Sequence, residues 1–353
     1  MHALSSSWLH FRNLQPRRTE WSSGLNLLIG ANGSGKTNIL EAFHLLGGWG
    51  PFQGGSTLST LLSWSQPDGT ARIEGHFSGE EPLSVQALIR SRSSLRLDGK
   101  VTKASEIRAR LPLLAFQPGD LALVEGSPSR RRAFLDRLCA LLFPLYALRL
   151  FEYRRALRQR VCLLRQRRDA TLTTKVLAPL GAWIWASRRS AVDLLRLGLE
   201  ETGDLLPDVL DVELHRGGSV GLDEPERDFL EAIGRNAARE RAIGRVFVGP
   251  QRDDLLLRSR GREAALFFSR GHRRRVAVAL MLGAGWAVER RLRRKPILLL
   301  DEVTAELDER GRDRTFAVLQ GSSWQVFAAT AGGVAYEWPG SVWVIRQGEV
   351  MER

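Results

Sequence analysis

The run GANGSGKT, residues Gly30 to Thr37, decides the fold of this chain. It fits the phosphate-loop pattern G-x-x-x-x-G-K-[ST] at every fixed position. The apolar residues 25–29 before it predict a buried strand, and residues 38–43 after it predict the start of a helix. Glycines let a backbone wrap closely round phosphates, and the free N–H groups at a helix start favour negative charge. The run therefore predicts a nucleoside triphosphate site, with Lys36 at the β- and γ-phosphates and the Thr37 hydroxyl on Mg²⁺.

Composition and charge indicate an acidic macromolecular partner. The chain has 353 residues and a formal net charge of +13, and its isoelectric point is near 10.8. Such a basic chain most often binds nucleic acid. No run is long and apolar enough to span a bilayer, and the first residues lack the apolar core of a signal peptide. With only two cysteines, Cys139 and Cys162, these features predict a cytoplasmic protein that has no membrane partner.

A second element of the nucleotide site lies far downstream. The apolar run at residues 296–300 ends in Asp301 and Glu302, and such a run is typical of a parallel strand covered on both faces. In phosphate-loop enzymes a carboxylate at the end of such a strand holds Mg²⁺, and Glu302 is placed to activate the attacking water. The pattern along the chain predicts a discontinuous head, residues 1–118 and 243–353, around an inserted helical lobe, residues 119–242.

Charge is segregated along the predicted helical lobe. Residues 130–168 carry 12 arginines against two acids, whereas residues 200–231 carry 11 acids against two arginines. One interpretation is a solvated basic helix that pairs with the acidic segment. The other is a surface for DNA phosphates, which arginine contacts in a bidentate manner. The candidate DNA contacts are Arg130, Arg131, Arg132, Arg154, Arg155 and Arg158.

A serine and a glycine open another predicted helix. Ser269 and Gly271 precede the apolar run 276–282. A hydroxyl and free N–H groups at a helix start can hold an anion, although the same pattern alone is an ordinary helix cap. Its position between a phosphate loop and a strand that ends in Asp-Glu makes it specific.

The chain resembles the SMC-like ATP-binding-cassette ATPases, and among them the RecF family of DNA-repair proteins. The resemblance covers essentially the whole chain. It rests on FRNL at 11–14, GLNLLIGANGSGKTNILEAFHLLG at 24–47, LAFQPGDLALVEGSPSRRRAFLD at 114–136, VGPQRDDL at 248–255, SRGHRRR at 269–275 and ILLLDEVTAELD at 297–308. The third and fourth runs discriminate this family from generic cassette ATPases. The resemblance implies an α/β fold: an ABC-type ATPase head, with a phosphate-loop sheet and an antiparallel subdomain, a mostly helical second lobe, and no long coiled coil.

The resemblance also implies roles for individual residues in an ATP and Mg²⁺ site. The catalytic residues would be Glu302, Lys36 and Gln117. The metal would be held by Thr37, Gln117 and Asp301. The nucleotide would be contacted by Gly30, Asn32, Gly33, Gly35, Lys36, Thr37, Arg12, Asn13, Ser269, Gly271, Asp308 and Thr330. Of these, Ser269 and Gly271 would contact the γ-phosphate bound to the other subunit, Asp308 would lie at the dimer interface, and Thr330 would sense the γ-phosphate.

The activity implied by the resemblance is slow, DNA-stimulated ATP hydrolysis in recombinational repair. ATP would drive a head-to-tail homodimer on double-stranded DNA near single-strand/double-strand junctions, and hydrolysis would release it. RecR and RecO would be partners in loading a recombinase. Two alternatives stay open on the residues: an ATPase subunit of a membrane transporter, or a protein-docking platform for which ATP is a timer.

Three positions depart from the family pattern. His272 stands where a glutamine usually follows Ser-x-Gly, and Gln251 stands where a histidine is expected. Gln53 ends a segment that commonly ends in arginine. Because none of the three departures touches Lys36, Asp301 or Glu302, we expect ATP binding and some hydrolysis to survive them.

Overall fold

A computed structural model of the chain describes residues 1–52, 57–63, 69–302, 307–331 and 338–353. The departure at Gln53 lies outside these residues. The described chain divides into two compact units. Unit 1 consists of Met1–Ala122, Gly198–Pro207 and Ser269–Arg353, and unit 2 consists of Leu123–Leu197 and Asp208–Phe268.

The elements are numbered in chain order. The strands are β1 (His2–Leu9), β2 (Arg17–Glu20), β3 (Leu25–Ile29), β4 (Ala71–Ser78), β5 (Leu83–Ile89), β6 (Ser93–Leu97), β7 (Lys100–Thr102), β8 (Leu113–Phe116), β9 (Asp211–His215), β10 (Asp254–Ser259), β11 (Arg262–Glu263), β12 (Ile297–Asp301), β13 (Gln325–Thr330), β14 (Ser341–Arg346) and β15 (Glu349–Glu352). The helices are α1 (Lys36–Leu46), α2 (Ala104–Arg110), α3 (Pro128–Leu142), α4 (Tyr146–Arg165), α5 (Thr171–Glu200), α6 (Pro225–Ile243), α7 (Ala264–Phe267), α8 (Arg270–Leu292) and α9 (Glu309–Ser322).

Unit 1 contains the predicted phosphate-loop sheet. Its strand order is β15-β14-β3-β13-β12-β8, in which β15 is antiparallel to β14 and the other neighbours are parallel. The apolar run that predicted β12 is buried along its whole length. Parallel strands covered on both faces require such continuous apolar runs, which explains why the sequence signal was strong here.

A second, antiparallel sheet in unit 1 has the order β2-β1-β4-β5-β6-β7. Helix α1 packs against strands of both sheets, so the helix that follows the phosphate loop lies in the core of the unit. Phe43 of α1 stacks on Phe327 of β13 with ring centroids 4.4 Å apart, and Trp21 meets Phe327 edge-on at 5.2 Å. Large aromatic side chains bury much apolar area, so this packing holds α1 against the sheet.

Unit 2 is mostly helical, as predicted for the inserted lobe. Helix α4 packs against α3 and α6, and α3 packs against β10. The unit also contains a small antiparallel sheet of order β11-β10-β9, which alternation in the sequence did not reveal. The longest helix among the described residues, α5, has 30 residues.

The division differs from the predicted boundaries at 119, 242 and 243. Residues 243–268 belong to unit 2, because β10 pairs with β9 along five register positions, from Asp254↔His215 to Arg258↔Asp211. Residues 198–207 belong instead to unit 1. There the Arg275 guanidinium donates to the carbonyl oxygens of Asp204 and Leu205 at 2.8 and 2.9 Å. Both differences come from long-range pairing, which local pattern does not report.

A buried ion network holds unit 2 together. The Arg188 guanidinium donates to Asp253 at 2.5 Å and to Asp136 at 2.7 Å, and Asp253 also accepts from the Trp185 indole N–H and the Gly217 amide. Burial alone would lower the pKa of Arg188, but Tyr146, Asp253 and Asp136 beside the guanidinium hold it well above its usual value. The run VGPQRDDL, which discriminates the family, therefore supplies a structural carboxylate to the interior of this unit.

In the described parts of the chain, no helix has the length and apolar character needed to cross a membrane.

Candidate nucleotide-binding site

Four neighbouring strand ends of unit 1 assemble the predicted site. Strands β3, β13, β12 and β8 are parallel neighbours, so their carboxyl ends meet at one edge of the sheet. The residues that follow them are Gly30, Ala331, Glu302 and Gln117. Ligands of open α/β sheets bind at this edge, which is where the four predicted elements meet.

The phosphate loop has the close backbone approach that its glycines predict. A Cβ atom at Gly30 would lie 2.3 Å from the carbonyl oxygen of Ile345, so no larger residue fits there. Gly35, which precedes α1, has a φ of 116°, a left-handed conformation that favours glycine. The Lys36 ammonium is 2.8 Å from the Gly30 carbonyl oxygen and 3.1 Å from that of Ala31. The lysine thus lies inside the loop, where it can reach bound phosphates.

The predicted metal-site residues Thr37 and Asp301 are in contact. The Thr37 hydroxyl donates to Asp301 Oδ1 at 3.0 Å, although 264 residues separate them in the chain. Burial raises the pKa of the Asp301 carboxyl above its usual value; the Thr37 hydrogen bond opposes this, and the nearby Glu302 adds to it. A buried carboxylate without a cation is costly to keep charged, so this position favours a bound cation.

The donor set around Asp301 suits Mg²⁺. Hydroxyl, carboxylate and amide oxygens are the ligands that Mg²⁺ takes from proteins, usually beside waters and substrate phosphates. Thr37 and Asp301 present two such oxygens within hydrogen-bond distance of each other, and Gln117 follows the neighbouring strand. The residues present therefore fit the predicted ion.

Glu302 lies beyond the buried end of β12 with a φ of 53°. This conformation is uncommon for a residue with a side chain, and such strain collects at functional sites. Its Oε2 accepts from the Ala331 amide at 3.4 Å, and its own amide donates to the Ala329 carbonyl at 2.9 Å. The carboxylate is thus directed along the ends of β12 and β13.

Thr330 ends β13 beside the phosphate-loop strand. It pairs in register with Ile29, the residue before the loop. The side chain is fully buried, and within the described residues its hydroxyl has no hydrogen-bond partner. Because buried hydroxyls are normally satisfied, this group is suited to a ligand atom.

Arg12 and Asn13 reach the loop from the N-terminal sheet. Asn13 donates to the Gly33 carbonyl at 2.9 Å and accepts from the Asn38 amide at 2.7 Å. Both residues line a cavity of about 790 Å³ that also includes Gly33, His10 and Gln347. A cavity of this size beside the loop can accommodate a nucleoside.

Sequence reasoning missed Glu41, which positions Arg12. Glu41 is buried in α1, and its Oε2 accepts from Arg12 at 2.7 and 2.9 Å. Its other oxygen accepts from the Phe52 amide at 2.9 Å, and the Phe52 carbonyl accepts from the Gln117 side-chain amide at 3.0 Å. The buried Glu41 carboxylate therefore links Arg12, predicted to contact the nucleotide, through Phe52 to Gln117, predicted to contact the metal ion. The sequence feature that could have revealed Glu41 is an acidic residue at a position of the predicted helix that faces the core.

The residues predicted to act on a partner's nucleotide lie together. Ser269 caps α8 by accepting from the His272 amide at 3.3 Å, and Asp308 caps α9 by accepting from the Gly311 amide at 2.8 Å. A Cβ atom at Gly271 would lie 3.8 Å from Asp308 Oδ2, so the two caps are neighbours. Over the ranges that the structure covers, neither Ser269 nor Gly271 hydrogen-bonds to the phosphate loop of the same chain.

The sequence is similar to known proteins over nearly its whole length. Residues 7–337 match the family model of the RecF/RecN/SMC N terminal domain. DNA replication and repair protein RecF of Heliobacterium modesticaldum is 31% identical over 339 residues, which are 91% of this chain and 90% of that protein. RecF of Thioalkalivibrio sulfidiphilus is 36% identical over 329 residues, which are 90% and 88% of the two chains. The chain belongs to the RecF family.

Solved structures agree with this membership at the level of the fold. The structure of the recombination mediator protein RecF-ATPrS in the RecFOR pathway matches with a TM-score of 0.88 and 24% identity, over 99% of this chain and 98% of that one. An Smc head bound to the C-winged helix domain of ScpA matches with a TM-score of 0.58 and 18% identity over 100% and 98%. The predicted ABC-type ATPase head is thereby confirmed.

Two of the three departures from the RecF family pattern have a structural account. Gln251 lies in unit 2, where its Oε1 accepts from the Tyr153 hydroxyl at 2.5 Å and its amide donates to the Val248 carbonyl at 2.8 Å. His272 contributes its backbone amide to the Ser269 cap. A glutamine satisfies the first position, and the second contact does not depend on the side chain.

The predicted DNA contacts differ in their exposure and in their partners within the chain. Arg131 pairs with Asp254 at 2.7 Å, and Arg154 pairs with Asp136 at 3.0 Å. Arg132 is half-buried and donates to the Asp253 carbonyl, and Arg130 is exposed. Arg155 and Arg158 are exposed and form no ion pair with any other described residue. These last two are the strongest candidates for an external anion.

The basic helix does not pair with the acidic segment as the first interpretation expected. In the described structure, the partners of the α4 arginines are Asp136, Glu152 and Glu240, all outside residues 200–231. The acidic segment forms ion pairs of its own, such as Glu213 with Arg258. Several charges of each stretch thus have partners elsewhere in the chain, and part of the basic stretch is left exposed.

Proposed function

We propose that this chain is an ATP-dependent DNA-binding ATPase of recombinational repair that closes as a head-to-tail homodimer on duplex DNA near single-strand gaps. The observation that carries the proposal is the separation of the site into two sets. Loop, metal and water-activating residues meet at one sheet edge, whereas Ser269 and Gly271 adjoin Asp308. A site completed by a second copy accounts for both sets.

Nucleotide binding uses groups that are already oriented. The loop amides and the Lys36 ammonium bind the phosphates, while Arg12 and Asn13 contact the nucleoside side of the cavity. Mg²⁺, when bound, neutralises charge on the phosphate oxygens. Thr37, Asp301 and Gln117 would hold it. The Lys36 contacts with two loop carbonyls are exchanged for contacts with phosphate oxygens, so binding needs little backbone rearrangement.

Dimer closure depends on the partner's γ-phosphate. Each Ser269 hydroxyl and the N–H groups of the first turn of α8 form an anion site through hydrogen bonds and the helix dipole. The adjacent Asp308 lies at the dimer interface. ATP thus shifts the population from monomer to dimer, because only the triphosphate can contact the phosphate loop of one copy and the Ser269 site of the other at the same time.

Hydrolysis is assigned to Glu302. Its carboxylate lies one residue beyond Asp301, and it is oriented by the Ala331 amide. It accepts a proton from the attacking water as the water oxygen bonds to the γ-phosphorus and the bond from that phosphorus to the β,γ-bridging oxygen breaks, so ADP leaves. Lys36 stabilises the charge that develops on the phosphate oxygens. Loss of the γ-phosphate removes the contact to the partner's Ser269, and the dimer opens.

The biological setting comes from the family. Relatives are called DNA replication and repair proteins, and a structural neighbour is called a recombination mediator of the RecFOR pathway. We therefore propose RecR and RecO as partners, single-strand/double-strand junctions as the DNA target, and the cytoplasm as the location. Exposed Arg155 and Arg158 are the first residues to test as phosphate contacts.

Membership of the RecF family favours this function over that of a transporter subunit. The docking-platform alternative had rested on the acidic segment, whose carboxylates include several in internal pairs, such as Glu201 with Arg290 and Asp228 with Arg216. It therefore has less charge to offer a partner than the sequence indicated.

The proposal is tested by binding of a fluorescent gapped duplex with and without ATP. ATP should tighten binding by wild type, and both Lys36→Ala and Ser269→Arg should lose this gain, the former because ATP affinity falls roughly 10- to 100-fold when a charge-assisted contact is removed. Ser93→Arg, an exposed change on β6, is the matched control for added charge. Equal binding without ATP, or a full ATP effect in Ser269→Arg, would contradict the proposal.

A further inference from the structure

A groove in unit 2 lies between α4 and α5. The two helices are antiparallel neighbours, since Arg160 near the end of α4 donates to Thr174 near the start of α5, while the rings of Tyr146 and Trp183 are 6.1 Å apart at the opposite end. The groove has a volume of about 690 Å³. Its lining includes Arg149, Arg155, Val176, Pro179, Leu180 and Trp183.

Apolar side chains are unusually exposed along this groove. On α5, Leu172 is 74% exposed and Val176 is 51% exposed, one turn apart on the same stripe as Pro179 and Trp183. On α4, Leu148 is 53% exposed and directly precedes Arg149, a lining residue at one end of the groove. Single exposed apolar residues are ordinary, but a contiguous set of them marks an interaction surface.

Positive charge flanks the apolar floor. Arg155 and Lys175 are exposed and form no ion pair with another described residue, and Arg149 pairs with Glu152 at 3.2 Å on the helix surface. Exposed pairs of this kind contribute little stability, so Arg149 can exchange its partner at small cost. The groove therefore combines an apolar floor with a net positive rim.

We propose that this groove binds an acidic amphipathic helix of a partner protein. Leucine or aromatic side chains at positions i, i+3 and i+7 would pack on Val176, Pro179 and Trp183, and Asp or Glu on the flanks would pair with Arg149 and Arg155. The lining of α4 from Arg149 to Gln159 spans about 15 Å, which matches nearly three turns of a helix.

The aliphatic residues at the groove favour a protein over a nucleic acid as its ligand. Leu172, Val176 and Leu148 offer no donor to a phosphate, and their exposure is relieved only by apolar surface. A single-stranded nucleic acid would instead need a row of aromatic rings for stacking. Among the described residues that line the groove, Trp183 is the one aromatic side chain. The surface thus fits a helix with apolar anchors better than a strand of bases.

The test uses the full chain and a fluorescein-labelled synthetic peptide of about 14 residues, or four helical turns. Leu and Trp recur in it every third or fourth position, and Glu and Asp fill the remainder. A shuffled peptide of the same composition, which lacks the apolar stripe, is the control. Fluorescence anisotropy should show saturable binding of the ordered peptide, weakened about tenfold by Val176→Glu and severalfold by Arg149→Gln, because a buried anchor and a rim charge are removed.

Two variants in the same unit are matched controls. Leu266→Glu changes an apolar residue that is 83% exposed on α7, and Arg235→Gln removes an exposed arginine that pairs with Glu231 one turn away on α6. Both should bind the peptide like wild type, and Val176→Glu should bind gapped duplex with ATP as wild type does. Equal binding of ordered and shuffled peptides, no effect of Val176→Glu on peptide binding, or weaker binding of a single-stranded oligonucleotide by Val176→Glu would overturn the proposal.

Discussion

The nucleotide site of unit 1 and the basic helices of unit 2 were both predicted from the sequence, and they differ in how their charges are used. In unit 1, Lys36, Asp301 and Glu302 converge at one sheet edge. In unit 2, Arg131 and Arg154 are already paired within the lobe. The function of the phosphate loop can be predicted from its sequence, because the local run fixes the backbone shape that binds phosphate. The function of a stretch rich in arginine cannot be predicted in this way, because the tertiary fold determines which residue each arginine pairs with.

The largest effect should come from the buried network of unit 2. Arg188→Leu leaves Asp253 and Asp136 without their cation, and breaking a buried pair in this way costs about 3–5 kcal/mol of unfolding free energy. Chemical denaturation followed by tryptophan fluorescence measures the loss. Arg235→Leu, which removes an exposed pair with Glu231, is the control and should cost less than about 1 kcal/mol.

The pH dependence of the Arg188→Leu variant sharpens the same point. Burial raises the pKa of Asp253 in the folded protein even with Arg188 present. A raised folded-state pKa means that stability is lost as the pH rises through it, and loss of the guanidinium moves that pKa higher. The deficit of the variant should therefore be smaller at pH 5 than at pH 8. An equal deficit at both values would show that Asp253 stays solvated.

A smaller effect is expected at Glu41 in unit 1. Glu41→Gln keeps the shape of the side chain but removes the charge that holds Arg12, so the KM for ATP should rise about tenfold while kcat changes less, because the lost contact contributes to binding. Steady-state phosphate release measures both constants. Glu74→Gln, which breaks the exposed pair with Arg72 on β4, should leave the KM unchanged.

The smallest effects should separate the two sets of lobe arginines. Arg155→Ala should reduce the slope of log affinity for duplex DNA against log salt by about one, because one phosphate contact is lost. Arg131→Ala should leave the slope unchanged and lower stability instead, since Asp254 loses its partner. Filter binding over a salt series distinguishes them. Equal slopes in both variants would remove Arg155 from the DNA surface.

The fold could be predicted where a short run of sequence is by itself sufficient to specify an element. The phosphate loop needs glycine at Gly30 and Gly35, and β12 needs a continuous apolar run, so both could be located from the sequence. The contact between Thr37 and Asp301 followed, because parallel strand ends meet at one edge. The resemblance to the RecF family supplied the roles of Ser269 and Asp308, which spacing alone did not.

What the sequence did not predict depends on long-range partners. Strand β9 lies in a polar stretch and pairs with β10 about 40 residues later in the chain, so neither its existence nor the end of unit 2 is a local property. Glu41 looks like any helical glutamate until its burial beside Arg12 is known. The acidic segment looked like a partner for α4, yet the structure neutralises it elsewhere.

If ATP joins two copies of this chain through Ser269, sedimentation velocity of Glu302→Gln should show a monomer without ATP and a stable dimer with it. The dimer should persist because the substituted carboxamide cannot accept the proton from the attacking water. Adding Ser269→Arg to the same chain should abolish that dimer while nucleotide binding persists. A monomer in Glu302→Gln with saturating ATP, or a dimer that survives Ser269→Arg, would contradict the account.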